Sequence, residues 1–302
     1  MNWVLLTIGA IFLISIIVGV YRGAIKITVS LVTTFLTLAL VFFVTPYVVG
    51  LIEEKTPLDD IIREYAVIGM AGETTSEDTE SGLTEEGVKK VLNAAGVTEE
   101  DLAEHGITIE DIVNGDVSDD ELKEYGISSR LLAGLRNGSS EVIAEEVENV
   151  ELPKDLQIKA IEMAELPDIF KDLLSENNND TIYQKLQVET FAQYVAAYLS
   201  KLIVNIIAFL ATFIFATIII RAIVLALNVV SELPVIGLVN RLAGGVLGAV
   251  GALLIVWTLF IIVTLCYTTS IGKDIYDVIQ NNEITRLMYE YNPIFMLATK
   301  LK

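Results

Sequence analysis

The sequence predicts an all-α integral membrane protein of two transmembrane helical hairpins, four spans in all, with an acidic helical extracytoplasmic insert between them. Four long apolar segments are the first observation, because about 20 apolar residues span the hydrocarbon core of a bilayer. The second observation is the composition: 53% of the 302 residues are hydrophobic, yet 20% are charged and the formal net charge is −20. A single solvent environment does not account for both values, so the chain divides into an apolar part and a hydrophilic part.

The charge is concentrated in the middle of the chain. Residues 53 to 189 contain 35 acidic and 11 basic residues, a net charge of −24, and the remaining residues contain 5 acidic and 9 basic, a net charge of +4. We therefore expect four regions: a hairpin at 1–52, the insert at 53–190, a second hairpin at 191–270 and an amphipathic tail at 271–302. Nucleic acid is not an expected partner, because so acidic a segment repels phosphate.

The first hairpin is predicted from two apolar segments separated by a very short turn. Trp3–Val20 is followed by Tyr21-Arg22-Gly23, and a second apolar run covers Ile27–Ile52. A secretory signal peptide has a basic segment before its apolar run and a small-residue cleavage site after it. Neither is present here, so the first segment is expected to remain as a membrane span.

The second hairpin is predicted at about Val195–Ile220 and Leu242–Ser270. Apolar residues continue past Arg221 to Val230, and Pro234 is expected to end the helix because proline lacks a backbone donor. A helix-packing face of small residues opens the fourth span, and its members at i, i+4 and i+8 are Gly244, Gly248 and Ala252. Such a face lets another helix backbone approach closely, either within the chain or in a homo-oligomer.

Basic residues in the short turns predict the orientation. The first turn has Arg22 and Lys26, and the second has Arg221 and Arg241 against the single acid Glu232. Because Lys and Arg favour the cytoplasmic side, the N-terminus, the insert and the C-terminus are expected outside the bacterial cytoplasmic membrane. The arginines either anchor the helices at the interface or form a basic cluster for lipid phosphate or another anion, with Arg22 and Arg241 at equivalent depths.

The insert is predicted to contain several short helices. Val97–Thr108 and Val117–Ser128 align at a spacing of 20 residues, and each has a Ser or Thr near its start and a glycine eight residues later. A hydroxyl residue followed three positions later by an acid, with a terminal glycine, is typical of a short capped helix. The dense carboxylates of the insert are interpreted as solvated helix faces, not as a metal site.

No chemical motif in the sequence favours an enzyme. The chain has one cysteine, Cys266, and one histidine, His105, which exclude an internal disulfide and a Cys/His metal site. We predict no catalytic, cofactor-binding or metal-binding residue. The predicted spans also have no ionisable residue at mid-membrane, which argues against a proton-coupled carrier.

Two motifs resemble those of a known family. The first combines a glycine, Arg-Gly and a serine on the next helix: Gly19, Arg22, Gly23 and Ser30. The second opens the fourth span and consists of Leu233, Pro234, Gly237, Asn240, Arg241, Gly244 and Gly248. Together they resemble the CvpA family, the colicin V production proteins, over Asn2–Ile52 and Phe191–Tyr267.

The resemblance implies an integral inner-membrane protein needed for colicin V production, a part of toxin biosynthesis, with links to envelope stress and export. It implies that the two motifs carry the shared function, without a known chemical role. We therefore expect a non-enzymatic binding or scaffold factor whose partners are membrane lipids and other membrane or envelope proteins. The alternative is a small oligomeric channel or transporter.

Overall fold

A computed structural model places the chain in an all-α fold. It describes residues 2–71, 85, 88–89, 99–104, 106–118, 130, 145, 148–149, 152–226 and 237–300. Within these ranges there are thirteen α-helices and no β-strand. The all-α fold class predicted from the sequence is confirmed.

Four of the helices are long and apolar enough to cross a membrane, as predicted. They are α1 (Trp3–Arg22), α2 (Ala24–Lys55), α9 (Phe191–Ala226) and α10 (Gly237–Leu265). An α-helix rises about 1.5 Å per residue, so even the shortest of them, with 20 residues, matches the hydrocarbon core of about 30 Å. The protein is a multi-pass membrane protein.

The other helices are short and lie in two groups. Those between the second and third spans are α3 (Leu58–Ala71), α4 (Glu99–Glu104), α5 (Ile109–Asn114), α6 (Lys154–Met163), α7 (Asp168–Asn177) and α8 (Asp180–Leu186). Those after the fourth span are α11 (Ser270–Gln280), α12 (Glu283–Glu290) and α13 (Pro293–Ala298). The chain forms two compact units, a membrane unit of Met1–Thr56 with Leu202–Lys302 and an insert unit of Pro57–Lys201.

The membrane unit has aromatic residues near the ends of its first two helices. Trp3 begins α1, Tyr21 lies at its end, and Tyr47 lies in the last third of α2. All three are largely exposed in the protein, Tyr21 at 85%. Tryptophan and tyrosine favour the membrane–water interface, because each has an apolar ring and a polar group. Their positions near the helix ends are those expected of aromatic residues at a membrane–water interface.

The insert unit extends into the beginning of the third span. Tyr194 of α9 is fully buried, stacks on Tyr183 with ring centroids 4.9 Å apart, and donates a hydrogen bond of 2.7 Å to the Leu174 carbonyl. The Ser200 hydroxyl donates to a carboxylate oxygen of Asp59 at 2.6 Å. The first three turns of α9 therefore belong to the core of the insert unit. The boundary predicted at residue 190 lies eleven residues before the end of that unit at Lys201.

In the insert, a glycine follows the end of α4 and a threonine caps the start of α5. Gly106 has φ of 75° after α4, where the left-handed conformation favours glycine. Thr108 then caps α5 with Asp111: the Asp111 backbone N–H donates to the Thr108 hydroxyl at 3.2 Å, and the Thr108 N–H donates to the Asp111 carboxylate at 2.8 Å. The Thr108 hydroxyl also donates to the Asp111 carboxylate at 2.6 Å, and this bond, together with the one from the Thr108 N–H, lowers the pKa of Asp111.

The predicted repeat is only partly within the described residues. The first copy contains α4 and its terminal Gly106, while the second copy beyond Ser118 lies outside them, as does His105. The Thr108–Asp111 capping box of α5 was not predicted, although a Thr followed three residues later by an acid was visible in the sequence. Among the described residues, no group of three His, Cys, Asp or Glu side chains is placed to hold a metal ion.

Candidate functional site

The α1–α10 contact is a close approach of two helix backbones through glycines. A Cβ atom added to Gly244 would lie 2.8 Å from the carbonyl carbon of Gly23 and even closer to the Gly19 carbonyl oxygen. One turn further along, a Cβ on Gly248 would lie 3.0 Å from the Ser15 carbonyl carbon. As the residue number rises on α10 it falls on α1, so the two helices are antiparallel. Glycine is required at these positions because any side chain would overlap main-chain atoms.

The small-residue face predicted on the fourth span thus lies against α1 of the same chain. Gly244, Gly248 and Ala252 are all buried, and Ala252 is completely inaccessible. Gly19, which comes from the other motif, is the partner of Gly244. Of the two partners that the sequence left open for this face, a helix of the same chain is the one in contact with it here, and a homo-oligomer stays a prediction.

Asn240 of α10 connects the α1–α10 contact to the start of α2. We call the region of Gly19, Gly23, Asn240 and Gly244 the Gly23 junction. Gly23, the residue between α1 and α2, has φ of 76° and provides no side chain to cap α2. The first N–H groups of a helix have no partner within the helix. The Asn240 side-chain oxygen accepts a hydrogen bond of 3.2 Å from the Ile25 N–H, so α10 caps α2. A Cβ on Gly23 would overlap the Asn240 amide, which explains the need for glycine there.

The Asn240 amide nitrogen is buried and has no hydrogen-bond partner among the described residues. Because Gly23 and Asn240 are in contact, their neighbours Arg22 and Arg241 lie at nearly the same level of the helix bundle. Both arginines are exposed, as is Arg221. None of the three has an acidic partner in the described part of the chain. Leu233 and Pro234 of the predicted motif lie outside the described residues.

A cleft of about 410 Å³ lies between α1, α2, α9 and α10 of the membrane unit. Most of its walls are apolar, and the polar side chains that line it are those of Ser15, Ser30, Thr34, Thr217, Thr258 and Arg221. Three residues of the predicted site, Ser30, Arg221 and Gly248, thus line one cavity. Arg221 is the one charged residue among the described residues of its lining.

Two threonines that line the cleft, one on α2 and one on α10, are hydrogen-bonded along their own helices. Thr34 donates to the Ser30 carbonyl at 2.9 Å, and Thr258 donates to the Leu254 carbonyl at 2.9 Å. A threonine that bonds the carbonyl four residues earlier does not need water or a polar ligand to satisfy its donor. The cleft is therefore suited to an apolar occupant along most of its length.

The tail closes the end of the cleft that lies away from Gly23. Asn292 caps α13 by accepting from the N–H groups of Ile294 and Phe295, and its amide donates to the Trp257 carbonyl at 2.9 Å. Trp257 in turn donates its indole N–H to the Met288 carbonyl at 3.0 Å. These bonds hold α13 on α10, with Ile294 in the wall of the cleft. The sequence predicted an amphipathic tail but not this docking, because nothing local pairs residue 257 with residue 292.

Residues 185–291 match the family model of the colicin V production protein. This match covers the second hairpin and most of the tail, and it confirms the resemblance to the CvpA family there. No curated protein and no solved structure matches the chain.

Proposed function

We propose that this protein is a CvpA-like factor of the bacterial cytoplasmic membrane that acts in colicin V production, a part of toxin biosynthesis, or in related envelope and export functions. It acts without enzymatic chemistry, as a binding or scaffold protein. The observation that carries the proposal is the match of residues 185–291 to the colicin V production family. The partners we propose are membrane lipids and other membrane or envelope proteins.

The roles of the motif residues support a scaffold. Gly19, Gly244 and Gly248 allow α1 to approach α10, and Asn240 caps α2 across the Gly23 turn. An enzyme site needs a nucleophile or an acid–base group held by a second polar group near a substrate position. The motif residues instead form backbone contacts and a helix cap. They build a close junction of α1, α2 and α10, which is a suitable base for binding another protein or a lipid.

The proposed orientation places the N-terminus, the insert and the C-terminus outside the cytoplasm. Arg22, Lys26 and Arg241 are at the Gly23 end of the bundle, and α9 runs toward the same end if each of the four helices crosses the membrane once. Arg221 near the end of α9 then joins them. A cluster of basic residues at one end of the spans favours the cytoplasmic side for that end.

Complementation of toxin production tests the proposed function. A strain that produces colicin V, but lacks its own protein of this family, receives the present protein, and the zone of growth inhibition around colonies is measured. We expect the wild type and Val250→Leu to restore the zone and Gly248→Leu to fail, because only Gly248 contacts the Ser15 backbone. If the wild type is present in the membrane in folded form and the zone is not restored, the proposal is refuted.

The alternative function is a small oligomeric channel or transporter, and the cleft between the four helices favours it. The apolar character of most of the lining argues against an ion path in a single copy of the chain. Flux of ions and small solutes through liposomes containing the purified protein distinguishes the two functions. Flux that rises with the amount of protein and is lost on filling the cleft would favour the channel.

A further inference from the structure

The height of the cleft matches one leaflet of a bilayer. Its lining runs from Ile27 to Leu38 on α2 and from Leu247 to Leu259 on α10. At about 1.5 Å per residue these segments are roughly 17 Å long, and half of the hydrocarbon core is about 15 Å. The cleft begins about one helical turn from the Gly23 junction, the end at which the basic residues are clustered. It therefore covers the depth of the leaflet next to that end.

The walls suit a hydrocarbon chain that enters from the bilayer. The described lining is apolar apart from five hydroxyl residues and Arg221, and several lining residues remain exposed, among them Ile14, Val18 and Ile255. Exposed apolar side chains at the edge of a cleft in a membrane protein contact lipid tails. A tail can therefore move sideways into the cleft without crossing a polar barrier.

Arg221 gives the cleft a charged end. The residue is exposed, lines the cleft, and has no acidic partner among the described residues. Arginine binds phosphate through two parallel hydrogen bonds, which a single ammonium group does not provide. Arg22, Lys26 and Arg241 add positive charge at the same end without lining the cleft, so a lipid with net negative charge is favoured over a zwitterionic one.

We infer that the cleft binds one anionic phospholipid, with an acyl chain between α1, α2, α9 and α10 and its phosphate on Arg221. The lipid fills the gap between the third span and the other three, so that it acts as a structural part of the membrane unit. This inference rests on the proposed function only for the orientation of the spans. The test below measures bound lipid and not toxin production. The lipid site can therefore be refuted while the proposed function stands, and the reverse also holds.

Native mass spectrometry of the full-length protein is the test. The protein is reconstituted in bilayers containing equal amounts of phosphatidylglycerol and phosphatidylcholine with different acyl masses, extracted in mild detergent, and the retained lipids are counted. We expect one phosphatidylglycerol per chain. Arg221→Gln should lower its occupancy at fixed lipid about tenfold or more, because a charged hydrogen bond is lost. Arg221→Lys should retain an intermediate amount.

Gly251→Leu is an independent variant that fills the cleft. Gly251 lines it, and a Cβ there meets only the Leu31 side chain at 3.9 Å, an ordinary contact, so the added side chain occupies the space intended for the lipid. Val250→Leu is its matched control, since Val250 is 40% exposed and does not line the cleft. Arg241→Gln is the control for Arg221, because it removes a charge from the same end but not from the cleft.

The inference is supported if both cleft variants lose phosphatidylglycerol while both controls, with unchanged melting temperatures, retain it. It is overturned if phosphatidylcholine is retained equally, if Gly251→Leu retains the lipid, or if Arg241→Gln loses it to the same extent as Arg221→Gln. Excess inorganic phosphate should not displace the lipid. Displacement would assign Arg221 to free phosphate and overturn the lipid assignment.

Discussion

Replacing Gly248 and Gly251 separately by alanine compares a glycine that contacts another backbone with one that does not. The two positions are three residues apart on α10 and receive the same methyl group. At Gly248 the new Cβ would be 3.0 Å from the Ser15 carbonyl carbon and 3.3 Å from the Ile16 Cα, with the Ser15 oxygen nearer still. At Gly251 the nearest atom is a flexible Leu31 methyl at 3.9 Å.

The structure sets the size of the difference. Carbon atoms pack at about 3.5–4.0 Å, so the methyl group at Gly248 must push α1 and α10 apart by about 0.5–1 Å, which forfeits a quarter to a half of each contact's dispersion energy. Overpacking of this kind costs about 1–3 kcal/mol. Both variants gain about 0.5–1 kcal/mol from replacing a helical glycine, so this gain cancels in the comparison. Gly248→Ala should be less stable than Gly251→Ala by about 1–3 kcal/mol.

Reversible unfolding of the purified protein in mixed micelles, by increasing the fraction of sodium dodecyl sulfate, measures this difference. The helical signal of the wild type and of the two variants is followed under one set of conditions, so that the micelle contribution is common to all. The reasoning predicts a lower midpoint for Gly248→Ala and an equal or higher midpoint for Gly251→Ala. Equal midpoints for the two variants would refute the close approach of α1 and α10 at Gly248.

Three further predictions concern orientation, capping and pH. In a Cys266→Ser background, single cysteines at Ser76 and Ser139 should react with a membrane-impermeant thiol reagent on intact cells; protection of both would reverse the proposed orientation. Asn240→Ala should lower stability by about 0.5–2 kcal/mol because α2 loses its cap, whereas Asn240→Asp retains an acceptor at a helix N-terminus and should stay near the wild type in the same unfolding assay; equal losses would contradict the capping role. Burial raises the pKa of Tyr183 from 10.0 to about 12, so its contribution to insert stability is complete below pH 10 and is lost as the pH rises through 12; in Tyr183→Phe, the tyrosinate absorbance should lose a component that titrates near pH 12, and an unchanged titration curve would contradict the burial.

The four spans were predictable because their signal is local. About 20 consecutive apolar residues are enough to identify a membrane helix, whatever its neighbours are. The predicted third segment began at Val195, whereas α9 begins at Phe191, and its first turns pack in the insert unit through Tyr194. Hydropathy does not distinguish burial in lipid from burial in protein. The apolar pattern therefore did not predict where the insert unit ends and the membrane part of α9 begins.

Only part of the candidate site was predictable, because the sequence pattern is local and the contacts of the site join distant residues. The small residues at Gly244 and Gly248 indicated a close helix contact, but the pattern does not name the partner, which is α1 through Gly19 and Ser15. The cap from Asn240 to Ile25 joins residues 215 positions apart. Ser30, Thr217 and Thr258 lie in three different spans, and only the packing of the helices brings them into one cleft.

The division of roles among the motif residues indicates where a ligand of this protein binds. Gly19, Gly23 and Gly244 have no side chain and are in contact with main-chain or amide atoms. Their role is therefore to allow the close packing of the Gly23 junction, not to bind a ligand. Asn240 is directed to the start of α2, and its buried amide nitrogen has no hydrogen-bond partner in the described part of the chain. Arg221 is different, since it lies on α9, outside the three helices of that junction, and it lines the cleft without an acidic partner among the described residues. A variant at the glycines therefore tests the fold, whereas a variant at Arg221 tests what the fold binds.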